Sequence, residues 1–171
     1  EGLRNAYLHG PTMGPDGYCH LCWIWRESPD CATNHTVCYA RSKDMRAWES
    51  AAGAPLTLPI TLAGCDVVSP VPEGGGAING NVVLGFDLDN RPVVSYHAFD
   101  GAGNTQLYNA RFDDGAWRIH QATQWECRLA FSGGGSIGFA LRISPVQAED
   151  GILTQHWSHP LYGSQTWRLD P

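Results

Sequence analysis

An all-β fold assembled from repeated small sheets is predicted by three observations on this 171-residue chain. One pattern recurs three times: Asp16-Gly17, Asp89-Asn90 and Asp150-Gly151 each open a short apolar run, and seven residues after each Asp stands an aromatic, Trp23, Tyr96 or Trp157. A second pattern, Tyr39-x4-Asp44-x3-Trp48, matches Tyr108-x4-Asp113-x3-Trp117 in register, and Trp167 closes a third copy. Finally, no segment carries a helical period. Repeats of strands and tight turns are the mark of a β-propeller. The copies begin 73 and then 61 residues apart, which gives room for about three four-stranded blades. The expectation is a single partial domain over 1–171, about three blades of a seven-bladed propeller carried on a piece of a longer chain. Its blade units fall at about 5–49, 77–122 and 135–171, with a linker at 50–76.

The elements follow in order. Gly14-Pro15-Asp16-Gly17 is turn chemistry, so 6–13 and 18–25 read as the first two strands of unit one. The second of them is apolar on both faces, as expected where blades stack on blades. Residues 27–34 form a loop, 35–41 a third strand ended by Ser42-Lys43-Asp44, and Trp48 sits on a short outer strand. Pro55, Pro59, Pro70 and Pro72 forbid a regular helix in 50–76. Unit two runs through strands 82–86, 93–99, 105–111 and 116–121, joined by hairpin turns at 87–90, 101–104 and 113–115. Unit three holds strands at 137–143, 152–157 and 165–169. The repeated Trp and Tyr residues are read as packing, because large aromatics fill the wedge between radiating sheets.

Composition narrows the function classes. Aromatics make up 11% and charged residues 16%, which fits a β-rich extracellular carbohydrate-handling protein. A net charge of −6 argues against nucleic acid as partner, and no run approaches the length of a membrane span. Neither initiator Met nor a signal-peptide pattern stands at Glu1, so the chain reads as a mature product or a piece of a longer one, secreted or periplasmic. Six cysteines stand at 19, 22, 31, 38, 65 and 127. Cys31 and Cys38 bracket one loop and are the favoured disulfide pair, with free thiols or metal ligation as the other readings. A structural zinc on Cys31-x3-His35-x2-Cys38 needs a fourth ligand such as His20 or His97. Cys19 and Cys22 lie on opposite faces of a strand and cannot share an ion.

Candidate chemistry sits where a blade's second-to-third-strand loop and the connection into the next blade reach the mouth of the central channel. Asn34-His35 ends that loop in unit one, and Tyr96-His97 ends strand two of unit two on the same side. His35 is the candidate base and Tyr96 the second catalytic candidate. Asn34, His97 and Arg111 are the substrate-binding candidates, with Arg111 nominally toward the other face. Asp30, Asp66 and Asp100 lie in loops without forming the carboxylate pair that a glycoside hydrolase needs.

Two stretches, GPDGYCHLCWIWRESPDCATNHTVCYARSKDMRAWE and LGFDLDNRPVVSYHAFDGAGNTQLYNARFDDGAW, resemble the BNR-repeat-containing proteins, propellers of neuraminidase-type repeats. Ser42-x-Asp44-x3-Trp48 is similar to an Asp-box, lacking its Gly and one residue short. The pattern is also similar to secreted propellers that include ulvan-type polysaccharide lyases. That resemblance implies an Asn-His pair at Asn34-His35, a catalytic Tyr at Tyr96 and a neutralising Arg at Arg111. It also implies a second His following the first, whereas no His stands between His35 and His97. The implied activity is β-elimination on uronic-acid-containing glycan without a cofactor. The alternatives are a non-catalytic glycan-binding propeller, with Trp25 and Trp157 stacking on sugars, and a glycoside hydrolase.

Overall fold

The computed structural model describes residues 3–170. Glu1, Gly2 and Pro171, the ends of the expected domain, lie outside the described residues. Three antiparallel sheets follow one another along the chain and pack face to face as propeller blades. The first holds β1 (Asn5–Met13), β2 (Cys19–Arg26), β3 (Asn34–Ser42), β4 (Trp48–Glu49) and β5 (Pro55–Leu56) in order, with β6 (Asp66–Ser69) also on β3. The second is a meander of β7 (Val83–Phe86), β8 (Pro92–Phe99), β9 (Thr105–Asp113) and β10 (Ala116–Gln121). In the third, β11 (Arg142–Ile143) and β12 (Gln147–Glu149) share one edge of β13 (Ile152–His159), and β14 (Gly163–Leu169) takes the other.

Strand boundaries follow the turn chemistry. The Asp100 carboxylate accepts from the Ala102 and Asn104 amides at 2.9 Å each, closing the β8–β9 turn. Asp114 and Gly115 both take positive φ, 47° and 74°, the backbone that a two-residue β9–β10 hairpin requires. The shortened Asp-box works as a turn as well. Asp44 Oδ1 accepts from the Arg46 and Ala47 amides at 2.8 and 2.9 Å, and the Ser42 hydroxyl donates to the Ala47 carbonyl. Residues 50–76 carry more structure than a linker, since β6 pairs with β3 through Cys38–Val67 and Tyr39–Asp66. Its prolines exclude a helix but leave room for short strands between them. In the third sheet the inner edge is split into β11 and β12, and only 142–143 of the expected 137–143 strand forms.

Side-chain alternation sorts each sheet into two apolar faces. Cys22, Ile24, Val37 and Tyr39 from the first sheet meet Leu84, Val94, Tyr96 and Ala98 from the second. The opposite face of the second sheet, with Val83 and Leu107, meets Ile143 and Trp157 of the third. The outer face of the first sheet, with Trp23, Trp25, Cys38 and Ala40, is covered by 56–65 through Leu56, Ile60 and Leu62. A buried polar ring crosses the second interface. Ser95 Oγ donates to Asn109 Oδ1, Asn109 Nδ2 to Gln155 Oε1, and Gln155 Nε2 back to Ser95 Oγ, at 2.6, 2.9 and 3.0 Å. Every member is satisfied, so the ring fixes register without leaving an unpaired donor.

The backbones of the second sheet and of the segment joining β11 to β12 approach closely at Gly85. A Cβ built there would stand 2.2 Å from the Val146 carbonyl oxygen. Gly85→Ala is therefore expected to lower unfolding free energy by about 2–3 kcal/mol through overpacking against rigid backbone. Urea unfolding of the two proteins checks this, and an unchanged midpoint contradicts the close packing.

Candidate functional site

Three segments converge at the end of the sheets where β2 stops and β3 begins. The Gly74 amide donates to the Ala32 carbonyl at 2.9 Å and the Phe99 amide to the Gly75 carbonyl at 2.7 Å. From the approach to the third sheet, the Gly133 amide donates to Asp30 Oδ1 at 2.7 Å, and the Cys31 amide donates to the Gly133 carbonyl at 2.9 Å. The Asp30 carboxylate also caps the short turn at Cys31–Thr33 by accepting from the Ala32 amide at 2.8 Å. Between these segments lies a cavity of about 630 Å³, walled by Tyr7, Arg26, Asn79, Asn81, Phe139 and Arg142 among others.

Arg26 sets the electrostatics of this cavity. It is the last residue of β2 and is 7% exposed. Nε donates to Asn34 Oδ1 at 2.8 Å, Nη2 to Asn79 Oδ1 at 2.8 Å and Nη1 to the Tyr7 hydroxyl at 3.1 Å. The guanidinium lies 4.0 Å from the centroid of the Tyr7 ring. Among the described residues no carboxylate pairs with it. A guanidinium carries five N–H donors, so a carboxylate or other anion entering the cavity meets donors not yet engaged. Two amide atoms are buried without a partner, Asn81 Oδ1 on the cavity wall and Asn34 Nδ2 behind Arg26. Arg142, exposed at the rim, is likewise without a carboxylate partner among the described residues and donates to the Phe139 and Leu141 carbonyls.

The residues expected from sequence divide. Asn34 is 1% exposed and belongs to this cavity through Arg26. His35 is its neighbour in β3, but Asn34 pairs with Arg26 and His35 with Trp25, so the two side chains leave opposite faces. His35 Nε2 donates to Glu27 Oε1 at 2.7 Å, and Nδ1 lies in hydrogen-bonding contact with the Thr36 hydroxyl at 2.9 Å. Glu27 also accepts from Arg4 Nε at 2.6 Å, and that bond, ahead of the one from His35, lowers its carboxyl pKa.

Tyr96 is 2% exposed in the wedge between the first two sheets, stacked on Tyr108 with ring centroids 5.5 Å apart. Burial raises its phenol to about 12. His97 points to the other face and is sealed against Phe139, 4.9 Å between centroids. Neither of its ring nitrogens has a partner in hydrogen-bonding geometry, although the Gly76 backbone lies beside the ring. Arg111 sits four residues back along the sheet, opposite Val93, where it faces Asp87 and Asp113 at 3.8 Å each. No hydrogen bond, ion pair or ring contact among the described residues joins Tyr96, His97 or Arg111 to Asn34 or His35.

Other expectations are corrected. Trp25, covered by residues 56–65, and Trp157, between the second and third sheets, are 8% and 2% exposed, so neither offers a sugar-stacking platform. Cys38 lies against Cys65 and not Cys31, with 3.0 Å between sulfurs, because Cys38 faces the outer side of the first sheet. Among the described residues no three His, Cys, Asp or Glu side chains gather to hold an ion, and the Cys31, His35 and Cys38 side chains do not converge. Asp30, Asp66 and Asp100 are each occupied with turn amides or an indole. Arg26 and Tyr7 escaped the sequence reading. The signal available was an Arg ending a strand whose partner strand opens on Asn.

Residues 1–125 match the profile of the BNR repeat-containing family. The chain belongs to that family. No curated protein sequence matches it. Among solved structures, this BNR repeat-containing chain is similar to a polysaccharide lyase, an ulvan lyase bound to -[GlcA(1-4)Rha3S]-, with TM-score 0.57 and 15% identity. A second ulvan lyase structure gives TM-score 0.56 at 15% identity. In both cases the match covers 91% of this chain and 39% of the lyase chain. The likeness at this identity is one of fold, and the chain spans about two fifths of the lyases' length.

His97 yields a test of the packing around the site. Full burial lowers its pKa from 6.5 to about 3, so the unfolded chain takes up a proton that the folded one refuses. Stability contributed by the neutral ring is complete above pH 6.5 and declines as pH falls toward 3, by at most about 1.4 kcal/mol per pH unit. His97→Phe is expected to flatten the acid limb of stability against pH by about one proton's slope. Urea titrations between neutral and acid pH measure it, and parallel limbs in the two proteins refute the burial.

Proposed function

We propose that this BNR repeat-containing protein holds an acidic polysaccharide in the Arg26 cavity and acts on it as a polysaccharide lyase, by β-elimination at a uronic acid. The observation that carries the reading is a buried guanidinium, without an ion-paired carboxylate among the described residues, lining a cavity of about 630 Å³. Removing the C5 proton of a uronate is difficult while the neighbouring carboxylate keeps its charge. A fixed guanidinium offsets that charge as it builds. Arg26 is held by Asn34, Asn79 and Tyr7, so little reorganisation is needed when the anion arrives. Apolar walls from Ile78, Ile137 and Phe139 suit the carbon face of a sugar ring. The Tyr7 hydroxyl is the ionisable group that touches Arg26, and it is the group to move a proton beside a bound carboxylate. The ulvan lyase likeness supports the substrate class. Such a substrate implies a secreted or periplasmic protein.

A second reading, glycan binding without cleavage, is favoured by His35. Both of its ring nitrogens are engaged locally, and no second His follows before His97. The two readings separate in one series of measurements. Arg26→Gln is expected to weaken polyuronate binding about 10–100-fold by calorimetry, the worth of a charge-assisted hydrogen-bonded contact. A neutral glucan serves as the control. Tyr7→Phe is expected to keep binding while the ultraviolet signal of the unsaturated product falls at least ~100-fold. Binding by the unaltered protein with no product selects the second reading, and undiminished binding by Arg26→Gln removes the site from both.

A further inference from the structure

Cys38 and Cys65 lie on the covered outer face of the first sheet, away from the Arg26 cavity. Cys38 stands in mid-β3 and Cys65 at the end of the short turn Leu62–Gly64, just before β6. The β3–β6 pairing sets Cys38 opposite Val67, which brings residue 65 over the same strand. The two sulfurs are 3.0 Å apart, and both thiols are free. No other two cysteine sulfurs make contact among the described residues. We propose that Cys38 and Cys65 form a covalent modification site, oxidised to a disulfide by a low-molecular-weight disulfide such as oxidised glutathione.

The chemistry is asymmetric, as thiol–disulfide exchange requires. Cys65 is half-buried and reachable, whereas Cys38 is sealed. The hydrogen bond from Cys38 lowers the Cys65 thiol to about 7, while burial raises Cys38. Cys65 loses its proton to solvent and its thiolate attacks one sulfur of the small disulfide. The S–S bond of the reagent breaks, one small thiolate leaves, and a mixed disulfide remains on Cys65. Cys38 then gives up its proton and attacks the Cys65 sulfur, expelling the second small thiolate. Two protein thiols are oxidised to one disulfide and one small disulfide is reduced to two thiols. The cross-link ties β3 to residues 56–65, the segment that covers Trp23 and Trp25.

Intact protein is incubated with oxidised glutathione, denatured, alkylated and weighed, with a sample kept in reductant beside it. Four of the six cysteines are expected to take the alkylating agent after oxidation. Peptide mapping is expected to recover Cys38 joined to Cys65. Closing a loop of 27 residues is expected to raise Tm by about 10 °C over the reduced protein. Cys65→Ser abolishes the cross-link and the oxidant-dependent Tm shift, whereas Cys31→Ser keeps both. Six alkylated cysteines after oxidation, a recovered Cys31–Cys38 peptide, or a Cys65→Ser protein that still loses two thiols overturns the proposal.

Discussion

The angle between the first two sheets is set by a wedge of aromatic packing, and the rest of the molecule is hung on that angle. Tyr39 from the first sheet and Tyr96 from the second are both essentially removed from water. Trp117 closes on Tyr39 edge to face at 5.2 Å, and Tyr108 stacks on Tyr96. Fully burying one such side chain contributes about 1.5–3 kcal/mol, and edge-to-face pairs add about 0.5–1.5 kcal/mol. The polar tips are handled so that burial carries little penalty. The Tyr39 hydroxyl donates to His20 Nδ1 at 2.5 Å, and His20 Nε2 donates to Asp16 at 2.9 Å. Trp117 reaches Asp66 at 3.1 Å, tying β10 to the strand that borders β3. Because these contacts run from the first sheet to the second along their length, they also fix how the sheet ends meet.

Where the ends meet, packing gives way to polarity, and the cavity follows from that change. Arg26 ends a strand that is apolar on both faces from Leu21 to Trp25, so its guanidinium is desolvated by its neighbours. Desolvating a cation costs several kcal/mol unless hydrogen bonds replace the lost water. Here three neutral oxygens and the face of Tyr7 replace part of it. A carboxylate partner within the protein would cancel the positive field. Neutral partners hold the group rigid, and Asp30, whose carboxyl the guanidinium helps to lower, makes no ion pair with it, so part of the charge stays available to an entering anion. That combination is what recognition of an anionic sugar requires and what a purely structural ion pair does not provide.

Much of the fold was legible because turn chemistry and alternation are local properties. Asp89-Asn90, Asp100 to Asn104 and Asp113-Asp114-Gly115 predicted the second sheet nearly residue by residue, since the Asp87 and Asp100 carboxylates close the first two turns and the third is two residues of positive φ. The aromatic repeat likewise marked the middle strand of all three sheets. Three features were not legible. β6 is four residues among prolines and is a strand only because β3 offers an edge. Tyr39 and Tyr108 match in sequence yet face opposite ways, since Tyr108 pairs with Tyr96 while Tyr39 pairs with Cys22 and leaves Trp23 on the other side. The cavity is built from residues 7, 26, 79, 81, 139 and 142, a set with no spacing that a motif could capture.

The fate of Asn34-His35 shows why a dipeptide pattern is weaker than the backbone beneath it. Between the Trp25–His35 and Ile24–Val37 pairs, β3 carries one extra residue, Thr36, at φ 47°. A β-branched residue rarely adopts that backbone, which costs about 1–3 kcal/mol and persists only where the surroundings enforce it. Here the Thr36 amide is held by the Val71 carbonyl at 2.8 Å. The bulge lets the strand below keep its apolar register while Asn34 stays opposite Arg26 and His35 stays opposite Trp25. It also brings the Thr36 hydroxyl to the only ring nitrogen of His35 that Glu27 leaves open. Both ring nitrogens of His35 are thus engaged by neighbouring side chains of the first sheet. The bulge therefore gives the amide of the pair to the cavity and keeps the imidazole in the scaffold. The proposed lyase chemistry therefore assigns proton transfer to Tyr7, which shares the cavity wall with the cation.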